Sequence, residues 1–117
     1  MSIEQIRLIA PDLYVSPQLL PADMAELAAR GIRTVINNRP DHEEAGQPLA
    51  DEMRRAAEAA GLVYEFLPVV GNMISEADVI EFDRYLRELP SPTVAFCRSG
   101  NRCSVLWSYV QALRNRG

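Results

Sequence analysis

The chemistry-bearing residues of this chain are concentrated in one heptapeptide, Cys97-Arg98-Ser99-Gly100-Asn101-Arg102-Cys103. The apolar run Thr93-Val94-Ala95-Phe96 leads into it, and a helix-compatible run from Ser104 to Val110 leads out. A strand that ends on cysteine, turns through a short loop and enters a helix builds an anion site. The loop N–H groups and the helix N-terminus converge on one point, and their partial positive charge favours a negative ligand. The same field favours the Cys97 thiolate, which lowers its pKa and raises its nucleophilicity at neutral pH. Arg102 adds a planar fork of donors for an oxyanion. These residues imply a covalent cysteine enzyme that handles a small tetrahedral anion. Ser99, Gly100 and Asn101 complete the anion loop, and Arg98 brings a second charge that either contacts the ligand or points to solvent.

A second polar segment, Asn38-Arg39-Pro40-Asp41-His42-Glu43-Glu44-Ala45-Gly46-Gln47, holds the remaining candidates. Asp41 is the candidate general acid, with His42 and Glu44 as alternatives. The structural reading is preferred: a proline turn in which Asp41 caps the loop while Glu43 and Glu44 are solvated. His42 is the only histidine, and without a second histidine or a cysteine cluster it is a poor metal ligand. No metal or cofactor is expected. Cys103 admits two roles. It is a small residue in the first helical turn, held apart from Cys97 by helix geometry, or it is a resolving thiol for an oxidised or persulfidated Cys97.

The elements that position these groups follow from hydrophobic period and punctuation. Leu13-Tyr14-Val15 reads as an edge strand. Pro21 opens a helical pattern through Met24, Leu27 and Ala28 that Gly31 closes. Ile32–Asn37 is rich in β-branched residues and reads as a strand. Pro48–Ala60 is helical, closed by Gly61, and Leu62–Val70 is the next strand. Ser75 is the N-cap of a helix running to about Leu89, with Val79, Phe82 and Leu86 on its inner face. Pro90–Pro92 breaks it before the strand Thr93–Phe96, and the last helix starts near Arg102. Trp107 and Tyr109 on that helix read as core. Strands alternating with helices predict an α/β fold: three layers, with a mostly parallel sheet flanked by helices. Ligands of such sheets bind beyond the carboxyl ends of the strands. Cys97 and the 38–47 loop both lie at that edge.

The 117 residues predict a single domain, 1–117, with one core. A net charge of −4 argues against nucleic-acid binding. No apolar stretch reaches membrane-spanning length and no signal-peptide pattern opens the chain, so a cytoplasmic location is expected. All 12 basic residues are arginine, which excludes mechanisms based on a lysine base or Schiff base.

The loop resembles that of rhodaneses, which are sulfurtransferases with a Cys-x4-Arg-type active-site loop. The chain as a whole resembles the bacterial phosphatase-like domain family found in beta-lactamase-hydrolase-like proteins. The resemblance runs through Leu13-Tyr14-Val15-Ser16-Pro17-Gln18, Gly31-Ile32, Thr34-Val35-Ile36, Asn38-Arg39-Pro40-Asp41, Glu43-Glu44, Gln47-Pro48 and Cys97 to Trp107. It implies a protein-tyrosine-phosphatase-like fold, Cys97 as nucleophile and Arg102 as the anion-binding arginine. Tyrosine phosphatases resemble this loop but use Cys-x5-Arg, one residue longer. They also place an aspartate acid after a strand resembling Tyr64–Val69, where this chain has Val70-Gly71-Asn72.

A shorter cradle fits one sulfur more easily than a phosphoryl group, and losing a general acid costs on the order of 10²–10⁴ in rate. On those grounds the sequence places sulfur transfer through a Cys97 persulfide first and phosphate-ester hydrolysis through a phosphocysteine second. A non-catalytic anion- or persulfide-binding sensor is the third reading. The expected partner is a small anion: thiosulfate, a persulfide or a phosphate ester.

Overall fold

A computed structural model describes residues 2–71 and 73–116 of the chain. After a short 3-10 turn, Ser2–Gln5, the elements are β1 (Arg7–Ala10), β2 (Leu13–Ser16), α1 (Asp23–Ala29), β3 (Thr34–Asn37) and α2 (Ala50–Ala59). They continue with β4 (Val63–Phe66), α3 (Glu76–Glu88), β5 (Thr93–Phe96) and α4 (Asn101–Asn115). The sheet order is β1-β2-β5-β3-β4. All pairings are parallel except β1 with β2. The expected three-layer α/β architecture is therefore present.

Strand β5 is central, with Ala95 aligned to both Val15 and Ile36. Its alternation divides the core. Val15, Ile36 and Ala95 face Val79, Phe82 and Tyr85 of α3 and Leu106 and Val110 of α4. Val35, Val94 and Phe96 face Met24 and Leu27 of α1 and Met53 and Ala57 of α2. With both faces covered, the β5 strand is buried along its whole length. That makes its carboxyl end a fixed platform for the loop that follows.

Four details differ from the sequence reading. Leu13–Val15 is not at the edge, because β1 pairs antiparallel on its outer side. The Arg7-Leu8-Ile9-Ala10 segment alternates weakly and half of it is exposed, so its pattern is poor. β4 stops at Phe66, after which Leu67 and Val69 donate to the Asn37 and Asn38 carbonyls at 2.9 and 3.0 Å as the chain leaves the sheet. α2 starts at Ala50 rather than Pro48 because Pro40 to Leu49 is spent on the loop. Ser75 is the expected N-cap: its Oγ accepts from the Asp78 N–H at 3.1 Å, and Asp78 accepts from the Ser75 N–H at 3.0 Å. Tyr109 is exposed rather than core, while Trp107 packs partly buried beside Arg114.

Candidate active site

The Cys97 loop hangs from the end of β5 and is anchored to the turn after β2. The Cys97 N–H donates to Ser16 O at 3.3 Å, and the Gln18 N–H donates to Arg98 O at 3.2 Å. Gly100 turns the chain into α4 with φ +93, and a Cβ there would lie 3.4 Å from the Ser16 carbonyl carbon. Both the left-handed backbone and the close approach call for glycine. The turn aims the Gly100 N–H at the Cys97 sulfur, 3.1 Å away.

Cys97 is buried at the floor of this loop and its pKa is lowered from 9.0 to about 5. The largest cause is a hydrogen bond from the Cys103 thiol. Burial opposes it, and the N–H groups of Cys103, Gly100 and Arg102 add to the lowering. The Cys103 thiol thus contributes to the field that lowers Cys97. Cys103 is itself fully buried, and that burial pushes its thiol well above 9.0. It therefore stays protonated beside the thiolate. Its sulfur also lies 3.3 Å from Asn38 Oδ1. The Asn38 amide is fixed by donation from Nδ2 to Leu67 O at 2.9 Å. The Cys103 thiol therefore has the Asn38 amide oxygen as its acceptor.

Arg102 is held end-on. Its Nη1 and Nη2 donate to the Glu43 carboxylate at 2.7 and 2.9 Å, and Nη1 also donates to Val69 O at 3.0 Å. Of five guanidinium protons these use three. The Nε–H and the second Nη2–H share the opposite edge and have no partner among the described residues. That edge is the one that matches two oxygens of a tetrahedral anion.

Glu43 was expected in solvent, yet it joins two arginines, because Arg39 Nε also donates to it at 2.9 Å. The Arg102 hydrogen bond, with a further contribution from Arg39 against a burial penalty, holds its carboxyl down at about 2. Arg39, missed as a site residue by the sequence reading, is 2% exposed. It donates to Gln18 Oε1 at 3.0 Å and Glu44 Oε1 at 3.2 Å as well. No periodic pattern announces this cluster. Its only sequence signal is the spacing of an arginine four and five residues before two glutamates.

Of the other expected site residues, Arg98, Ser99 and Asn101 are exposed at the loop rim, and Arg98 meets Glu44 at 3.6 Å. Asp41 lies at the start of α2, where its Oδ1 accepts from the Ala50 N–H at 2.7 Å. This is the capping role that the sequence reading set against its use as an acid. His42 is exposed with φ +67 and has no hydrogen bond or ion pair among the described residues. In the Val70-Gly71-Asn72 segment, Gly71 lies near Arg102: a Cβ there would come 3.8 Å from the Arg102 Cδ. Asn72, the third residue of that segment, lies outside the described residues. A groove of about 490 Å³ between α3 and α4, lined by Ile74, Val79, Tyr109 and Leu113 among others, contains none of the site residues.

A thiolate at the base of an N–H-lined loop, facing an arginine edge, is equipped for nucleophilic attack on a bound oxyanion. Comparison with known proteins gives this geometry a context. A beta-lactamase hydrolase-like protein from Agrobacterium fabrum is 40% identical over 104 residues, 89% of this chain and 24% of that protein. The chain therefore spans about a quarter of the length of this curated relative. The crystal structure of a candidate phosphatase from Neisseria meningitidis superposes with a TM-score of 0.83 at 39% identity, covering 92% of this chain and 75% of that one. P. aeruginosa TpbA in complex with pTyr matches with a TM-score of 0.62 at 22% identity, covering 86% and 58%, and shares the fold. Residues 5–114 match the family described as beta-lactamase hydrolase-like protein, phosphatase-like domain, and the chain belongs to that family.

Proposed function

We propose that this domain is a cysteine-dependent phosphatase acting on a small phosphate-bearing anion. The observation that carries the proposal is the pairing of a low-pKa Cys97 with the Nε/Nη2 edge of Arg102, which has no partner among the described residues. The phosphoryl oxygens would take the loop N–H groups and that arginine edge while Cys97 attacks phosphorus. The S–P bond forms as the leaving oxygen departs, and water then displaces the thiolate from the phosphocysteine to release phosphate. Glu43 acts as a positioning residue that keeps Arg102 turned so that its side edge faces the anion. Cys103 helps to keep Cys97 in its thiolate form. Membership of a phosphatase-like family supports this reading ahead of sulfur transfer.

Sulfur transfer keeps one observation in its favour, the four-residue spacing between Cys97 and Arg102. The comparisons lend it no support, and thiosulfate and persulfides give way to phosphate compounds as the proposed substrates. Phosphate release from p-nitrophenyl phosphate by wild type, Cys97→Ser and Arg102→Lys tests the proposal. Turnover should vanish in Cys97→Ser and fall by at least about tenfold in Arg102→Lys, which keeps the charge but loses the fork. Equal turnover by Cys97→Ser and wild type would remove Cys97 from the chemistry and the proposal with it.

A further inference from the structure

We propose that the phosphoryl donor for this site is a diphosphate, whose terminal phosphoanhydride bond is cleaved, in preference to an aryl or alkyl phosphate. The inference rests on the phosphatase reading and deepens it. It comes from what each carboxylate near the cradle is already doing. Asp41 holds the first N–H of α2. Glu43 is clamped between Arg102 and a buried Arg39, and binding an anion on the Nε/Nη2 edge of Arg102 leaves both contacts in place. Glu44 is shared by Arg39 and Arg98. Pairing with Arg102 and Arg39 holds Glu43 in its ionised form, with no proton to give. The 70–72 segment has no carboxyl in its sequence.

A leaving group that departs without a proton must be stable as an anion. The tyrosine phenol has a pKa near 10, so a departing phenoxide is poor in that respect. A departing phosphate is far better, since even its second pKa is about 6. The rim adds a positive feature for such a leaving group. Arg98 directly follows the nucleophile, its side chain is 67% exposed, and its only carboxylate contact among the described residues is 3.6 Å long. It is placed to pair with the charge that grows on the departing phosphate.

The step balances without redox chemistry. The Cys97 thiolate forms the S–P bond to the terminal phosphorus, and the bridging P–O bond breaks. The bridging oxygen leaves with the electron pair as a phosphate anion. Water then attacks the phosphocysteine, the S–P bond breaks to restore the thiolate, and the water proton passes to solvent.

The test is kcat/KM of the wild-type domain for ADP, inorganic pyrophosphate, phosphotyrosine and phosphoserine, with phosphate release as readout and Cys97→Ser as control. The expected result is a preference for at least one of the two anhydrides over phosphotyrosine and phosphoserine of about 10²-fold or more, the range of a missing general acid. Arg98→Gln should lower anhydride turnover by a larger factor than p-nitrophenyl phosphate turnover. Phosphotyrosine or phosphoserine cleaved within tenfold of both anhydrides, by Cys97, overturns the substrate inference and leaves the phosphatase reading standing. No Cys97-dependent phosphate release from any of the compounds overturns both.

Discussion

Replacing Glu43 by glutamine removes a carboxylate that accepts three charge-assisted hydrogen bonds, two from Arg102 and one from Arg39, at 2.7 to 2.9 Å. Its pKa is lowered from 4.5 to about 2, chiefly by the Arg102 hydrogen bond. Unscreened, a shift of that size corresponds to on the order of 3 kcal/mol of native-state stabilisation at neutral pH. The Glu43 side chain is 27% exposed, so solvent screening reduces the expected effect. A loss of about 1–2 kcal/mol is the reasonable expectation. The sign with pH follows from the lowered value. Stabilisation by Glu43 is complete above the unfolded carboxyl pKa of 4.5 and is lost as pH falls towards about 2. Glutamine cannot ionise, so the variant should be less stable at pH 7 and converge on wild type in strong acid. Urea unfolding of both proteins across that range measures this. Phosphatase activity of the variant should fall about tenfold at pH 7, because Arg102 loses the anchor that presents its side edge. Equal unfolding free energies at neutral pH, with parallel acid profiles, would refute the clamp.

Cys97 should be alkylated by iodoacetamide with a midpoint near pH 5, while Cys103 stays inert, since burial holds its thiol protonated. Inorganic phosphate should slow the reaction, and a Cys97 midpoint near 9 would count against the loop field. Cys103→Ala deletes the largest contribution to that lowering, so the same titration should move up by about one unit or more. An unmoved midpoint would return the credit to the backbone N–H groups alone. With Cys103 contributing to the Cys97 environment, mild hydrogen peroxide should convert Cys97 to a sulfenic acid that Cys103 captures as a disulfide with loss of water. Peptide mapping that finds sulfinic Cys97 and no disulfide would deny Cys103 the resolving role. Asp41→Ala should cost about 1 kcal/mol in thermal or urea unfolding through loss of the α2 cap. It should also leave the leaving-group dependence of turnover intact; a dependence that steepens would make Asp41 the acid.

The parts of this protein legible from sequence are those with local or periodic signals. The buried β5 run, the Ser75 cap and the Gly31 and Gly61 stops all mark elements by rules that act within a few residues. The strand-cysteine-loop-helix order likewise located Cys97, Gly100 and Arg102. What escaped has a tertiary origin. β1 is defined by its pairing with β2, and its own Arg7–Ala10 pattern is weak. Glu43 sits 59 positions from Arg102, and Asn38 sits 65 from Cys103; no local rule predicts that a loop glutamate will seat the arginine that follows the Cys97 loop.

The central claim, a phosphoryl-accepting thiolate at Cys97, is tested most directly by intact mass and peptide mapping of acid-quenched protein after brief incubation with p-nitrophenyl phosphate and, separately, with thiosulfate. The account predicts one phosphoryl group on Cys97 from the phosphate ester, absent in Cys97→Ser, and no stable sulfur adduct from thiosulfate. A single added sulfur atom on Cys97 from thiosulfate, with no phosphoryl adduct and no phosphate released from the ester, would contradict it.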